Sequence, residues 1–423
     1  MPEYRVNNRI VSDTDPNFES MLESVYKTVN RPLCMCHDPG IEMQIAKIND
    51  HFYIKRMPKK GKEHSSECGS FETPPELSGL GDLMGTAIQE EDGVTVLKFD
   101  FPLSHKAEKP AAEPSNNESE SVKASSKRLS LRAMLHFIWK EAGLNRWHPT
   151  IVRRSWMDVY QQLTVAADNK KTNEAFVKDF LFLPEPFVVD RKAEIIARRM
   201  NLLTSYHSKH PKKLMLMIGE VEEGGFSGSG FGGTLIVKHI PDFHFLMNKQ
   251  LYDNIESRFA IELALFRSSN GNRLLIAATF SLSNQGVATI EQITMMAATH
   301  EWIPFETMYE RNLIMQFLDK KRSFEKVLRY NFARDFVMAD FILLDTKPQT
   351  TEMYLIPETK RKLEYKVGVE AAIKQAQTVA AINNSEAAVM WVWDPAEDEQ
   401  MPAIPDSVMG QTVFPKYGIR AVM

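Results

Sequence analysis

A chain of 423 residues is too long for one compact core, which implies two to four domains. With 43% apolar and 25% charged residues it reads as soluble and globular, and no apolar run nears the roughly 20 residues that a membrane span needs. The net charge of -4 excludes a surface that is basic all over, so any nucleic-acid site is confined to one face.

The N-terminus, MPEYRVNNRIVSD, has no basic segment leading into an apolar one; the expectation is a cytoplasmic protein of bacterial type without membrane insertion. All three cysteines fall in the first 68 residues: Cys34 and Cys36 in PLCMCHDPG, and Cys68 in KEHSSECGS, with His64 four residues before Cys68. Four such ligands satisfy a tetrahedral Zn²⁺. A module of about 75 residues has little core of its own, so a metal would supply much of its folding free energy, of order 10 kcal/mol. The intervening EMQIAKINDHFYIKRMP reads as a hairpin turning at Asn49 and Asp50, which brings the two ligand pairs together. His37 is a substitute ligand. The alternatives are chance clustering and a disulfide or redox pair, the latter opposed by a reducing compartment. With every position filled by protein the zinc is structural. Residues 1–103 form this zinc-ribbon-like module.

Residues 104–128, rich in Ser, Glu, Lys and Ala, cannot bury enough surface to offset their ordering entropy and read as a flexible linker. From 129 to 210 the pattern is helical: LSLRAMLHFIWKEAGL ends at Gly143, and SWMDVYQQLTVAAD, NEAFVKDFLF and RKAEIIARRMNLLTSY follow. This is a winged-helix-like unit. Its NRWHPTIVRRSW sets Trp147 and Trp156 around Arg146, Arg153 and Arg154, candidates for contact with duplex nucleic acid. The other tryptophans, Trp139, Trp391 and Trp393, read as core.

Residues 211–300 switch to short branched apolar runs, KLMLMIGEVEE, GGTLIVKHI, FAIELALFR and RLLIAATFSLS, a β-rich region. Gly228, Gly230 and Gly233 match G-x-G-x-x-G, but a strand-like segment follows where a phosphate-binding loop needs a helix, so they mark a strand connection.

Residues 301–423 read as helix, two strands, helix, strand. ADFILLDTKPQTTEMYLI places Asp340 and Glu352 on adjacent strands of a hairpin, a pattern that suits Mg²⁺ at a nuclease site. Tyr354 stands where a catalytic lysine belongs; Lys362 and Lys366, one turn apart on the next helix, are the substitutes, and Glu310 on the preceding helix is a third carboxylate. Asp345, of opposite parity to Asp340, ranks lower. Lys320, Lys321, Arg322, Lys326, Arg329 and Arg334 lie in a run with one acid, suited to a phosphate backbone or to a plain solvated face.

Several stretches, PLCMCHDPGIEMQIAKINDHFYIKRMP with HSSEC, LRAMLHFIWKEAGLNRWHP, MIGEV, EWIPFETMYERNL, VLRYNFARDFVMADFILLDT and VMWVWDP, together resemble an uncharacterised bacterial family of mobile elements, domain of unknown function 1173. The resemblance implies a protein encoded on or near mobile DNA and supplies no activity. More remotely, the C-terminal part resembles the PD-(D/E)XK nuclease superfamily, whose core is α-β-β-β-α-β. Asp340 would match its PD aspartate, with Ala339 for proline, Glu352 its second acid, and Glu310 its helical acid.

The fold expectation is therefore an α+β multidomain chain ending in an α/β restriction-endonuclease-like domain. Three functions follow: a Mg²⁺-dependent nuclease or strand-processing partner in DNA mobilisation; a non-catalytic DNA-binding or scaffold protein that keeps the nuclease-like fold; and a protein-binding domain in which the acids are plain strand-end residues. Nucleic acid, DNA first, and other proteins of a mobile element are the expected partners.

Overall fold

A computed structural model describes residues 2–407 apart from 49, 59, 67, 75–77, 82, 92–93, 105–126, 333–335, 347–349, 357–362, 383–388 and 399. The linker expected at 104–128 thus lies almost wholly outside the described residues, as do Arg334 and Lys362.

β1 (Glu3–Val6), β2 (Arg9–Ser12), α1 (Phe18–Val25), β3 (Leu33–Cys34), β4 (Ile41–Ile48) and β5 (His51–Arg56) form one sheet of order β2-β1-β3-β4-β5 with a single helix. The β4–β5 hairpin is the one read from sequence. Ile48 pairs with His51, and Asp50 sits at φ +65°, a left-handed turn conformation that Asp tolerates. Its core, with Tyr4, Val6, Leu22, Val25, Met43 and Phe52, is small.

The next block runs β6 (Ile88–Glu91), β7 (Val94–Leu97), α2 (Leu131–Glu141), β8 (Arg146–Trp147), α3 (Trp156–Ala167), β9 (Lys170–Lys171), α4 (Val177–Phe180), β10 (Leu181–Phe182) and α5 (Lys192–Lys209). Helix starts follow capping chemistry. Ser130 accepts the Ala133 N–H at 3.1 Å, and Ser155 with Asp158 forms a capping box. α2 stops just before Gly143, which sits at φ +67°. The short strands serve three different sheets: β8 pairs with the C-terminal sheet, β9 with β7, and β10 with the middle sheet. They make no wing of their own. The buried cluster around Trp139, Trp156 and Leu163 also takes in Leu80, Leu216, Leu275, Trp302 and Tyr330, so the boundaries expected at 103, 129, 211 and 301 do not separate cores.

A seam of charge holds the first module to this block. Lys55 Nζ donates to the Val165 carbonyl at 2.7 Å and to Asn169 Oδ1 at 3.1 Å, while Arg56 meets Glu72 at 3.2 Å and Glu141 at 3.4 Å. Burial alone would raise the pKa of Glu141, but Lys170, at 2.7 Å, and Arg56 hold it down at about 2.

The middle region contains β11 (Met215–Ser229), β12 (Gly232–Val237), β13 (His244–Asn248), α6 (Lys249–Arg258), α7 (Ala260–Arg267), β14 (Arg273–Leu282) and β15 (Ala288–Ala298). FAIELALFR, expected as a strand, is instead the turn into α7 and α7 itself, because Phe259 and Leu263, one helical turn apart, both bury into the adjacent core. β11 pairs with β14 through its first half and with β12 through its second, with a register shift between Val221 and Phe226. β12 continues to β13, β13 lies parallel to β15, and β15 returns to β14, so the ring closes as β11-β12-β13-β15-β14-β11. Alternate residues such as Leu235, Val237, Phe245, Met247, Ile276 and Phe280 fill its interior. Gly228 and Gly233 are cross-strand partners in the β11–β12 hairpin, confirming the strand connection. The Tyr252 ring lies so close that a Cβ on either glycine would come within 2.3 Å or 2.0 Å of it.

α8 (Met308–Asp319), β16 (Phe324–Lys326), β17 (Phe341–Leu343), β18 (Thr351–Leu355), α9 (Leu363–Ile382) and β19 (Val389–Trp393) complete the chain. The sheet has order β19-β18-β17-β16-β8, antiparallel except for the parallel β18–β19 pair. The sequence pattern had missed β16. Phe341, Leu343, Met353 and Leu355 face a core built with Leu313, Ile314 and Phe317 of α8. Ile342, Tyr354 and Ile356 face the other way, toward Tyr365 and Val369 of α9.

Candidate functional site

The first site is the cysteine cluster. β3 carries Cys34, the following turn carries Cys36, the 3-10 turn Gly61–Glu63 delivers His64, and a further turn, with the Cys68 N–H donating to the Ser65 carbonyl at 2.8 Å, brings in Cys68. One ligand atom from each of the four lies within 4.8 Å of the others. Cys34 Sγ is 3.6 Å from Cys68 Sγ, and His64 Nδ1 is 3.3 Å from Cys36 Sγ and 3.6 Å from Cys68 Sγ. A tetrahedron with Zn–S of about 2.3 Å and Zn–N of about 2.0–2.1 Å has edges of about 3.5–3.8 Å, so the spacing fits.

The cluster can hold a metal ion such as zinc. Cys34 and His64 are buried, and the Cys68 thiol is pushed down to about 4 by hydrogen bonds from Cys34 and His64 that outweigh burial. Such a thiolate is the form that binds metal. His37 is exposed and lies outside the group. His64 Nε2 is buried without a hydrogen-bond partner among the described residues.

The second candidate is the carboxylate set. Asp340 is fully buried. Its Oδ1 receives Arg329 Nη2 at 3.0 Å and its Oδ2 receives the Leu355 N–H at 2.8 Å. Arg329 also reaches Glu306 at 3.0 Å. Glu310, equally buried, pairs with Lys326 at 3.3 Å and accepts the Glu306 N–H at 2.7 Å. Glu352 accepts the Tyr354 hydroxyl at 2.8 Å, and burial raises its pKa, favouring the neutral acid. By strand alternation Asp340 and Glu352 fall on the α9 side of the sheet, whereas Glu310 belongs to α8 on the other side. Among the described residues, the cysteine cluster is the one place where three or more His, Cys, Asp or Glu ligands converge.

Lys366 does not turn toward these acids. It pairs with Asp394 at 2.7 Å and with Glu397. Asp345 forms a two-point pair with Arg322, at 2.7 Å and 2.8 Å. The basic run is therefore largely internal: Arg322, Lys326 and Arg329 are each at most 3% exposed and matched to buried acids. Arg154 is buried too, donating to the carbonyls of Gly143, Leu144 and Arg146. These four cannot present themselves to a phosphate backbone, because an unpaired charge left inside would cost several kcal/mol, about 3–5 for a broken buried pair.

Lys320, Lys321 and Arg153 remain exposed. Lys321 and Arg153 line a cavity of about 440 Å³ with Trp147, His300, Met315 and Leu318, and the acids Glu301 and Asp319 line it as well. Lys321 follows the end of α8 at φ +52°. Its N–H donates to Leu318 and the Arg322 N–H donates to Phe317, the pattern of a helix C-terminus that normally takes glycine.

No helix among the described residues is long and apolar enough to cross a membrane. No curated protein and no solved structure matches the chain. The model of a family described as a protein of unknown function, DUF1173, matches residues 4–396, a span that includes the cysteine cluster, the closed barrel and the carboxylate set; the chain belongs to that family.

Proposed function

We propose that this chain is a nucleic-acid-binding protein of bacterial mobile elements, working in the cytoplasm, that keeps a nuclease-like α-β-β-β-α-β unit as a scaffold and carries a structural zinc. The order α8-β16-β17-β18-α9-β19 supports the scaffold reading, since β16 supplies the third strand that the sequence pattern lacked. Asp340 stands at the head of the second strand and Glu352 in the third, where that unit would carry its acids.

The observation that carries the non-catalytic reading is the Arg329–Asp340 pair. A guanidinium occupies the carboxylate that Mg²⁺ would need, and Lys326 does the same for Glu310. The exposed cations of the Trp147 cavity, Arg153 and Lys321, are the contacts proposed for a duplex backbone, with Lys320 beside them.

Duplex DNA binding measured across a salt series tests this reading. Binding should weaken as salt rises, and Arg153→Ser with Lys321→Ser should lower affinity and reduce the salt slope by about one unit per contact removed. Duplex binding that is unaffected by both substitutions would remove the cavity from the account.

A further inference from the structure

The closed barrel between residues 215 and 298 was read from sequence only as a β-rich region, and neither the metal cluster nor the carboxylate set uses it. Its connectivity is specific. The bent β11 contributes to both halves, β12 and β13 follow as a meander, helices intervene, β14 pairs back to β11, and β15 lies antiparallel to β14 and parallel to β13. That is the strand order of a five-stranded Greek-key barrel of the OB type, whose second and third strands and adjoining loops hold oligonucleotides or oligosaccharides.

In this chain the second and third strands are β12 and β13. Their outward residues are Thr234, Ile236, His244 and Leu246, since Leu235, Val237, Phe245 and Met247 point inward. Thr234 stands opposite Leu246, and Ile236 opposite His244. Leu246 is 42% exposed, apolar surface that the barrel does not need for its own packing. The loop joining the first two strands ends in Phe231, 97% exposed, at the tip of a glycine-rich turn.

At the opposite end, the loop between β14 and β15 is held by α5. Asn284 meets His207 at 3.0 Å, and Arg199 pairs with Asp242 in the loop between β12 and β13. From Arg191 to Lys213 this helix and the turn after it contain seven Lys and Arg against one acid, Glu194, and of these Arg198 pairs with Glu185, Arg199 with Asp242 and Lys213 with Glu174. Lys209 and Lys212 are exposed there. A face with one aromatic tip, an uncharged middle and a cationic end favours an unpaired nucleic-acid strand, with bases on the apolar surface and phosphates along the cations. A neutral oligosaccharide would draw nothing from that charge.

We infer that the β12–β13 face of the barrel, bounded by Phe231 and by the basic end of α5, binds single-stranded nucleic acid. The inference rests on the nucleic-acid reading above and assigns it a second site, distinct from the Trp147 cavity.

Fluorescence anisotropy with a labelled oligothymidylate and with a labelled duplex, on the full chain, tests it. Leu246→Glu and Phe231→Ala alter exposed positions, so folding should survive, as circular dichroism would verify. Each is expected to weaken oligothymidylate binding about tenfold or more and leave duplex binding unchanged, while Lys209→Glu with Lys212→Glu should weaken single-strand binding and flatten its salt dependence. Single-strand binding that withstands all three changes but falls with Arg153→Ser and Lys321→Ser would overturn the barrel site and leave the broader reading standing. Failure to bind any nucleic acid would overturn both.

Discussion

Arg329 places Nη2 3.0 Å from Oδ1 of Asp340, with both side chains at most 1% exposed. Two residues separated by a loop at the head of β17 are thereby committed to each other inside the protein, and the aspartate that sequence pattern marks as a metal ligand is an ion-pair acceptor. Breaking one side of such a pair leaves an uncompensated buried charge. Asp340→Leu and Arg329→Met should each lower stability by about 3–5 kcal/mol, and the double variant should lose less than the sum. Urea unfolding of the four proteins checks this; strictly additive losses would show that the two groups are not coupled.

Metal content comes next. The purified chain should hold one zinc equivalent, and Cys34→Ser or His64→Ala should release it. Since structural zinc contributes of order 10 kcal/mol to small modules, chelation should unfold the β1–β5 sheet and the turns that carry His64 and Cys68 first, read as rapid proteolysis there, while Leu80, Ile88 and Leu97 stay packed in the larger core. Loss of free thiols without any metal would mean instead that two of the cysteines are joined as a disulfide.

Acid should destabilise the fold through His136. Its Nδ1 accepts the Tyr330 N–H at 3.1 Å, and burial, assisted by Arg132, pushes its pKa down to about 3. A folded pKa below the unfolded value near 6.5 means that the unfolded chain binds more protons between the two. The stabilisation is complete above about pH 6.5 and is lost as pH falls toward 3, at up to about 1.4 kcal/mol per pH unit. His148, pushed down to about 4 by burial and Arg146, acts in the same direction. The urea midpoint of His136→Asn should depend less steeply on pH between 6.5 and 4 than that of the wild type, and equal slopes would assign the acid sensitivity to other groups.

Lys321 separates stability from binding. At φ +52° it holds a helix-end position that glycine occupies without strain, so Lys321→Gly should stabilise the fold by of order 1 kcal/mol. The same change should weaken duplex binding. A substitution that raises the melting temperature while lowering affinity marks a residue kept for its charge; a rise in both would leave the lysine without that role.

The cysteine cluster was legible because its ligands are few, chemically distinctive and set in two pairs on either side of a local hairpin. The basic run misled because charge density is visible in sequence whereas partners are not: Arg322 answers Asp345, 23 residues on, and Lys326 answers Glu310 on the preceding helix. β16 escaped notice because FEK offers one large apolar residue in three. α7 was misread because FAIELALFR is a short, densely apolar run, a pattern that a buried strand and a buried helix share, and the helix follows from where Leu263 must bury. Closure of the barrel depends on pairing Met215 with Phe280 and Phe245 with Ala288, contacts between distant segments that no local pattern announces.

The central claim is that this chain binds nucleic acid and does not cut it. Purified protein incubated with single-stranded and duplex DNA in Mg²⁺ or Mn²⁺, with binding recorded in parallel, tests it most directly. Saturated binding with intact DNA is the predicted result. Metal-dependent cleavage that disappears in Asp340→Asn would contradict it, and would mean that Arg329 yields the carboxylate to a metal ion when substrate is bound.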